Sequence, residues 1–215
     1  MLKLEHNNQE SLWSGDFGKA YTERNIYSPI ELDKFYEDTY GVSRTDMNLL
    51  FLDKMDKDSC RILEIGSNVG NQLRLLQKMG FKNLYGIELQ SYAVKRAKEL
   101  TSDINIIQAS AEDIPFKDGF FDLVFTSGVL IHIAPENLPN IMKEIVRCSK
   151  KYIWGFEYYA EVFTEIQYRG NNNALWKGDY SEEYIKYNPK LKFVKQNQYK
   201  YLNDANIDFM YLLSK

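Results

Sequence analysis

Short apolar runs alternate with amphipathic helical segments through the middle of the chain. Leu73, Leu76 and Met79 repeat at helical spacing and are followed by Gly80, a common helix stop signal. Five apolar runs have the length of β-strands: residues 61–65, 83–88, 104–108, 121–126 and 152–156. Strands that alternate with helices in this way predict a parallel sheet of the α/β class.

The part of the chain before the first strand has only helical periodicity. Trp13, Phe17 and Tyr21 lie on one helical face, so residues 1 to about 58 are predicted to form a helical region. Between strands four and five, Pro135 is expected in the first turn of another helix.

The part after the fifth strand differs again. Residues 158 to about 190 are polar, aromatic and rich in Asn and Gly, which predicts an insertion without strands. Two final runs, 192–201 and 207–213, are joined by a short turn, so they are expected to pair antiparallel. Five parallel strands and this hairpin predict a seven-stranded sheet. We expect a single domain overall, with a helical region over 1–58 and the sheet unit over 59–215.

Composition narrows the functional class. The 215 residues carry a formal charge of −3 without a long basic run, which argues against a nucleic-acid-binding surface. Two cysteines and two histidines occur in no metal-ligand spacing, so no metal is expected. The chain shows neither a signal peptide nor a membrane-spanning apolar stretch. A cytoplasmic protein with a small-molecule partner is therefore expected, and its oligomeric state stays open.

The loop after the first strand carries the strongest chemical signal. A dinucleotide-binding turn requires G-x-G-x-x-G, and only Gly66 agrees with it. The loop instead resembles E/D-x-G-x-G-x-G of S-adenosylmethionine-dependent methyltransferases, with Glu64, Gly66 and Gly70 in place and Asn68 for the middle glycine. Asn tolerates positive φ, so this change is mild. The alternative is an ordinary glycine turn after a buried strand, but an ionisable Glu64 there requires a partner.

That resemblance implies a class I methyltransferase of the α/β class: a Rossmann-like seven-stranded sheet with an N-terminal helical lid and an insertion after strand five. Glu88 ends the second strand, and an ionised carboxylate can accept hydrogen bonds from both ribose hydroxyls. The segment 108–116 resembles the adenine-binding G-D-A-E-D-L-P-F of small-molecule methyltransferases, with Ser110 at the acidic position. A hydroxyl accepts the adenine amino group more weakly, so the Ala111 backbone is the safer contact.

Three further segments narrow the resemblance. The string from Trp13 to Asn25, the loop Glu64–Asn71 and the tripeptide 168–170 resemble the pseudaminic acid biosynthesis-associated methylases, which have W-x-x-x-F-G-x-x-Y-x-x-R-N and E-I-G-x-N-x-G-x-N. The resemblance implies a pathway for bacterial surface sugars. Arg24 could pair with the methionyl carboxylate of the cofactor or only stabilise a helix C-terminus. The expected cofactor-binding residues are Tyr21, Arg24, Asn25, Glu64, Gly66, Asn68, Gly70, Asn71, Glu88, Leu89, Ser110, Ala111 and Thr126.

Candidate catalytic residues follow strands four and five. His132 could be a general base or a packed histidine at a helix start. Glu157 could contact the substrate and accept a proton, or be a solvated carboxylate at the sheet rim. Tyr158, Tyr168, Arg169 and Asn171 are the candidate substrate-binding residues, with a solvated loop charge as the alternative for Arg169.

Together these features predict S-adenosylmethionine-dependent N- or O-methylation of a small polar metabolite, a sugar or amino-sugar derivative. An amino-acid-like acceptor and a non-catalytic S-adenosylmethionine-binding regulatory protein are the alternatives. Nucleic-acid N-methylation would lead us to expect Asn/Asp-Pro-Pro-aromatic after strand four, where this chain has 126-TSGV-129.

Overall fold

A computed structural model describes residues 8–215, and it is built around one large sheet. Residues 1–7, part of the region 1–58, lie outside the described residues. The described helices are α1 Asn8–Ser14, α2 Asp16–Arg24, α3 Pro29–Tyr40, α4 Arg44–Leu52, α5 Asn71–Lys78, α6 Ser91–Leu100, α7 Leu138–Cys148 and α8 Tyr180–Tyr187. The strands are β1 Arg61–Ile65, β2 Asn83–Glu88, β3 Ile104–Gln108, β4 Phe121–Ser127, β5 Ser149–Tyr158, β6 Thr164–Glu165, β7 Trp176–Lys177, β8 Lys192–Lys200 and β9 Ile207–Ser214.

The seven-stranded sheet has the order β3-β2-β1-β4-β5-β9-β8. Strands β1 to β5 pair parallel, and β9 pairs antiparallel with both β5 and β8. This confirms the expected α/β sheet and its terminal hairpin. The strand order reverses between β1 and β4, so their carboxyl ends border the crevice in which open α/β sheets bind ligands.

Two details of the sequence prediction were wrong. The insertion after β5 contains secondary structure: the β6–β7 ribbon and helix α8. Asp179 caps α8 by accepting the Glu182 N–H at 3.1 Å, and Tyr180 and Tyr184 are buried, because its aromatic residues form an apolar stripe. The helix before β5 begins at Leu138, so the proline in its first turn is Pro139 rather than Pro135.

Helices cover both faces of the sheet. On one face α3, α4, α5 and α6 contribute to a core that includes Leu32, Phe51 and Leu76. On the other face α7 and α8 bury Ile141, Ile145 and Tyr184. Within residues 8–215 no helix has the length and apolarity needed to cross a membrane. With both faces packed, the carboxyl rim of the parallel strands is where a ligand can enter.

Candidate active site

A cavity of about 390 Å³ lies at the carboxyl ends of the parallel strands, beneath α1, α2 and α3. Its floor is formed by the loops that follow β1, β2, β3 and β4, and one side wall by β5 and β9. The expected residues that line it are Tyr21, Asn25, Glu64, Gly66, Asn68, Asn71, Glu88, Leu89, Ser110, Ala111, His132, Tyr158 and Tyr168. Residues from distant segments of the sequence therefore meet around one volume of small-molecule size.

The loop after β1 has a backbone that only a few residue types adopt. Gly66, Asn68 and Gly70 have φ of 66°, 48° and 79°. A Cβ on Gly66 would lie 2.7 Å from Cγ2 of Val129, so a side chain at this position would collide with the loop after β4. Asn68 takes the left-handed conformation expected of an Asn in a glycine position. The loop thus brings its backbone close to the cavity.

Glu88 is fixed at the end of β2 by two hydrogen bonds, and its carboxylate keeps further acceptor sites. Its Oε2 accepts the Asn68 N–H at 2.8 Å, and its Oε1 accepts the Gln90 N–H at 2.8 Å. A carboxylate offers about four lone-pair sites, so about two remain for a ligand. Burial raises the pKa of Glu88 above its ordinary value, and the backbone N–H donors oppose that rise. The geometry suits a vicinal diol.

Asn71, the last residue of the loop motif, holds the N-terminal segment. Its Nδ2 donates to the Asn25 carbonyl at 2.7 Å, and its Oδ1 accepts the Tyr27 N–H at 3.2 Å. Asn25 in turn donates from Nδ2 to the Tyr21 carbonyl at 2.8 Å. Arg74 adds a bond from Nη1 to the Tyr27 carbonyl at 3.0 Å. Asn71, the last residue of the loop motif, therefore binds Asn25, the last residue of the N-terminal motif.

A second anchor, Gln90, was not expected from the sequence. Its Nε2 donates to the carbonyls of Ser14 at 2.8 Å and Gly15 at 2.9 Å, which closes the C-terminal end of α1. The turn between α1 and α2 requires Gly18, because a Cβ there would lie 1.8 Å from the Trp13 carbonyl oxygen. These contacts fix the lid helices, α1 and α2, over the cavity.

His132 lies on the cavity wall in a defined tautomer. Its Nδ1 is 2.8 Å from the Ala174 carbonyl oxygen, which can only accept, so Nδ1 carries the proton and Nε2 has a free lone pair. Its ring centroid lies 4.3 Å from that of Trp13 and 5.5 Å from that of Tyr168. Burial lowers the pKa of His132 to about 4. It is therefore neutral under ordinary conditions.

Glu157 has a different position from the one its sequence suggested. It is buried and does not line the cavity. Its Oε2 accepts the Val129 N–H at 3.0 Å and the Ile131 N–H at 3.4 Å, so it supports the loop that carries His132. Burial raises the pKa of Glu157 to about 7, and the N–H donors of the loop backbone oppose the rise.

Comparison with known proteins gives the class of this fold. Residues 63–152 match the family described as "Methyltransferase domain". The matched part runs from β1 into β5, so the central part of the sheet is similar to methyltransferase domains. A solved S-adenosylmethionine-dependent methyltransferase from Leishmania major superposes with a TM-score of 0.70 at 15% identity, over 96% of this chain and 86% of that chain. The expected class I methyltransferase fold is confirmed, and S-adenosylmethionine is indicated as its cofactor.

Curated relatives are similar to this chain over part of their length. The chain is 31% identical over 96 residues to "Sterol methyltransferase-like 3" of Botryococcus braunii, over 42% of this chain and 24% of that protein. It is 26% identical over 141 residues to "Phosphoethanolamine N-methyltransferase" of Plasmodium falciparum, over 61% of this chain and 53% of that protein. The chain thus spans about a quarter to a half of these two relatives, which are named for different acceptors.

One polar atom on the cavity wall has no partner within the described residues. Glu64 is buried at the cavity wall, and its Oε2 has no hydrogen-bond partner within the described residues. Burial raises the pKa of Glu64 well above its ordinary value, and the nearby Arg44 guanidinium opposes the rise. A donor group on a ligand would satisfy this oxygen. S-adenosylmethionine carries such a donor in its methionyl ammonium group, so the site fits the cofactor.

At the segment expected to border the adenine, an acidic group comes from another element of the fold. The Ser110 hydroxyl donates to Oε1 of Glu10 at 2.7 Å, and Glu10 lines the cavity. A carboxylate from α1 thus lies beside Ser110, the position at which the resemblance implies an acidic residue. Only the resemblance pattern, with its missing acidic residue, signalled that another residue was needed.

Some expected site residues lie away from the cavity wall. Gly70 is the N-cap of α5, and Thr126 is buried within β4. Arg24 is exposed in the last turn of α2, and Arg169 is exposed in the turn of the insertion. Asn171 pairs with Tyr168 across that turn. The structure brings Tyr168 to the cavity and leaves these five outside its lining.

Proposed function

We propose that this protein is an S-adenosylmethionine-dependent methyltransferase acting on a small polar metabolite, a sugar or amino-sugar derivative. The observation that carries the proposal is one continuous cavity. One part of its lining is the positive-φ loop after β1 and Glu88, whose carboxylate has free acceptor sites. Another part is a polar, aromatic wall that includes His132. Cofactor and acceptor can therefore meet away from bulk water.

Methyl transfer from S-adenosylmethionine requires mainly that the acceptor atom be aligned with the methyl group. The cofactor, when bound, supplies an activated methyl group. Glu88 would hold the ribose, the loop backbone and Glu64 would hold the methionyl part, and Ser110 with Ala111 would border the adenine. The lid helices exclude water, and proximity then provides most of the rate. His132 Nε2 accepts the proton that the acceptor loses, and Glu157 positions the loop that carries His132.

The acceptor lies between the insertion and the ends of β4 and β5. Tyr158 and Tyr168 line this part of the cavity, and aromatic faces suit the C–H groups of a sugar ring. We place Arg169 and Asn171 at the mouth, where the turn beside Tyr168 can close on an anionic group of the acceptor. The sugar class itself rests on the N-terminal and loop motifs, since the compared relatives are named for other acceptors.

Calorimetry with S-adenosylhomocysteine tests the cofactor site. Glu88→Ala should weaken binding by about 1.5–3 kcal/mol, the typical worth of hydrogen bonds to a charged group. Glu161→Ala, which changes an exposed carboxylate on the insertion, is the matched control and should bind as wild type does. Tighter binding of NAD than of S-adenosylhomocysteine would contradict the whole class.

Turnover tests the activity. Wild type with a methyl-labelled cofactor and a panel of sugars and amino sugars should yield a labelled product, identified by mass spectrometry. Cofactor binding without transfer to any member of a broad metabolite panel would instead favour the non-catalytic regulatory protein.

A further inference from the structure

We propose that Asp208, with Tyr40, Tyr158 and Tyr201, forms a subsite that binds a protonated amino group of the methyl acceptor. The inference rests on the proposed function and narrows its substrate class to amine-bearing metabolites. All four residues line the cavity, and none of the motifs singled out in the sequence includes Asp208, Tyr40 or Tyr201.

The subsite lies on the acceptor side of the cavity. Asp208 is on β9, where it pairs with Tyr158 of β5. In the sheet order, β4 and β5 separate β9 from β1, which precedes the cofactor loop, and Glu88 on β2 is farther still. Strands are spaced by about 4.8 Å, so Asp208 is about three strand spacings from the cofactor loop. The cofactor and an amino group on Asp208 can occupy the cavity together.

The Asp208 carboxylate has hydrogen-bond donors but no counterion beside it. Its relative exposure is 2%. The Tyr40 hydroxyl donates to Oδ2, and the Tyr201 hydroxyl lies close enough to lower the pKa of this carboxylate. Tyrosine hydroxyls are neutral, so they satisfy lone pairs of the carboxylate without forming an ion pair with it. About two lone-pair sites remain on the carboxylate, as on Glu88.

Two basic residues, Arg44 and Lys177, are close enough to lower the pKa of Asp208. The Lys177 ammonium donates to Asn206 Oδ1 and lies 5.3 Å from the centre of the Tyr158 ring. The buried Arg44 guanidinium lies 4.5 Å from the centre of the Phe156 ring. Within residues 8–215 neither makes a salt bridge to Asp208. A buried carboxylate is stabilised by a partner of opposite charge. A cationic ligand can reach Asp208 through the cavity that this residue lines.

Aromatic rings surround the same point. The Tyr40 and Tyr201 ring centroids are 4.9 Å apart at 74°, and those of Tyr158 and Tyr201 are 5.9 Å apart at 72°. Edge-to-face pairs of this kind leave ring faces available, and ring faces attract ammonium groups. The cluster is held in place because the Leu202 N–H donates to the Thr39 carbonyl at 2.8 Å, joining the end of α3 to the β8–β9 hairpin. The subsite is preorganised.

A cation of another kind fits less well. A metal ion needs several charged or imidazole ligands, and the described residues contain no group of three such side chains close together. An ammonium group matches one carboxylate, phenol oxygens and ring faces at once. A neutral hydroxyl could bond to the carboxylate but would leave its charge uncompensated.

A pair of probes of the same shape tests the inference without knowledge of the acceptor. Protein loaded with S-adenosylhomocysteine is titrated with cyclohexylammonium and with cyclohexanol, followed by NMR. Wild type should bind the ammonium about 10- to 100-fold more tightly, the range that hydrogen bonds to a charged group contribute. Asp208→Asn, which keeps the shape and removes the charge, should abolish this preference. Equal binding of the two probes to wild type would overturn the inference.

Two further variants separate binding from structure. Tyr201→Phe should reduce the ammonium preference, whereas Tyr199→Phe, two residues away and outside the cavity lining, should keep it. All variants should bind S-adenosylhomocysteine as wild type does. Loss of that binding in Asp208→Asn would overturn the inference, because it would assign the carboxylate to the cofactor or to the fold.

The outcomes for the subsite and for the proposed function are distinct. Ammonium preference without methyl transfer to any acceptor would support the subsite and contradict the enzyme. Transfer to an acceptor without an amino group, at equal kcat/KM in wild type and Asp208→Asn, would support the enzyme and overturn the subsite.

Discussion

Replacing Asp208 by Asn should stabilise the ligand-free protein near neutral pH. Burial raises the pKa of Asp208 from 3.8 to about 6, although the Tyr40 and Tyr201 hydroxyls oppose the rise. Each pKa unit corresponds to about 1.4 kcal/mol, so ionised Asp208 costs the folded state about 3 kcal/mol relative to the unfolded state. Asn has similar size and can keep a hydrogen bond with the tyrosines, but it carries no charge.

The sign of the effect sets its pH window. A carboxyl group whose pKa is higher in the folded state binds its proton more tightly there. Its contribution to stability is therefore fully present below pH 3.8 and is lost as the pH rises through about 6. The difference in the free energy of unfolding between Asp208→Asn and wild type should be near zero below pH 3.8. It should grow to about 3 kcal/mol in favour of Asp208→Asn above about pH 6. For a chain of this size that is about 6–12 °C in Tm.

Urea unfolding of wild type and Asp208→Asn across this pH range checks the prediction. Asp53→Asn, which changes an exposed aspartate far from the cavity lining, is the control and should show no comparable pH-dependent gain. A difference in the free energy of unfolding between wild type and Asp208→Asn that stays constant with pH would refute the reasoning. It would mean that the carboxylate is hydrated or already paired with a cation in solution.

Three further predictions concern the lid and the reaction. Glu10→Gln should weaken S-adenosylhomocysteine about tenfold and the inosine analogue much less, because only adenine offers an amino group; equal losses would contradict an adenine contact. His132→Ala should lower kcat by about 10²–10⁴ without changing cofactor affinity, and wild-type kcat should persist to about pH 5 because the pKa of His132 is about 4; an unchanged rate would leave positioning alone as the mechanism. Gly18→Ala should weaken cofactor binding about tenfold with the sheet intact, because the new Cβ would meet the Trp13 carbonyl; wild-type affinity by calorimetry would show that the lid adapts.

The sheet could be predicted because its signals are local. For each parallel strand, the apolar run predicts the bounds to within one or two residues, with one exception. Strand β5 begins at Ser149, three residues before its apolar run. There α7 leads directly into β5, and the Ser149 hydroxyl donates to the Tyr152 carbonyl at 2.8 Å, so no loop separates helix from strand. Asn68 at positive φ could also be predicted, because it depends on the residue itself.

The parts of the site that could not be predicted depend on pairs far apart in sequence. The Ser110–Glu10 bond joins the loop after β3 to α1, and the Asn71–Asn25 bond joins α5 to the end of α2. In a single sequence, no local pattern at either residue of such a pair indicates which distant residue it will contact. Burial also changed the interpretation of Glu157: a carboxylate at a strand end can be solvated or can bind backbone N–H groups, and only packing decides between them.

The N-terminal segment touches both halves of the proposed reaction. Glu10 reaches the adenine end through Ser110, and Asn25 is held by the cofactor loop through Asn71. Trp13, between them in sequence, packs its ring against His132 on the acceptor side, with 4.3 Å between centroids. A lid that contacts both sides cannot open over one without disturbing the other. Cofactor binding should therefore order the residues around His132 before the acceptor arrives, which makes the lid a means of coupling the two binding events.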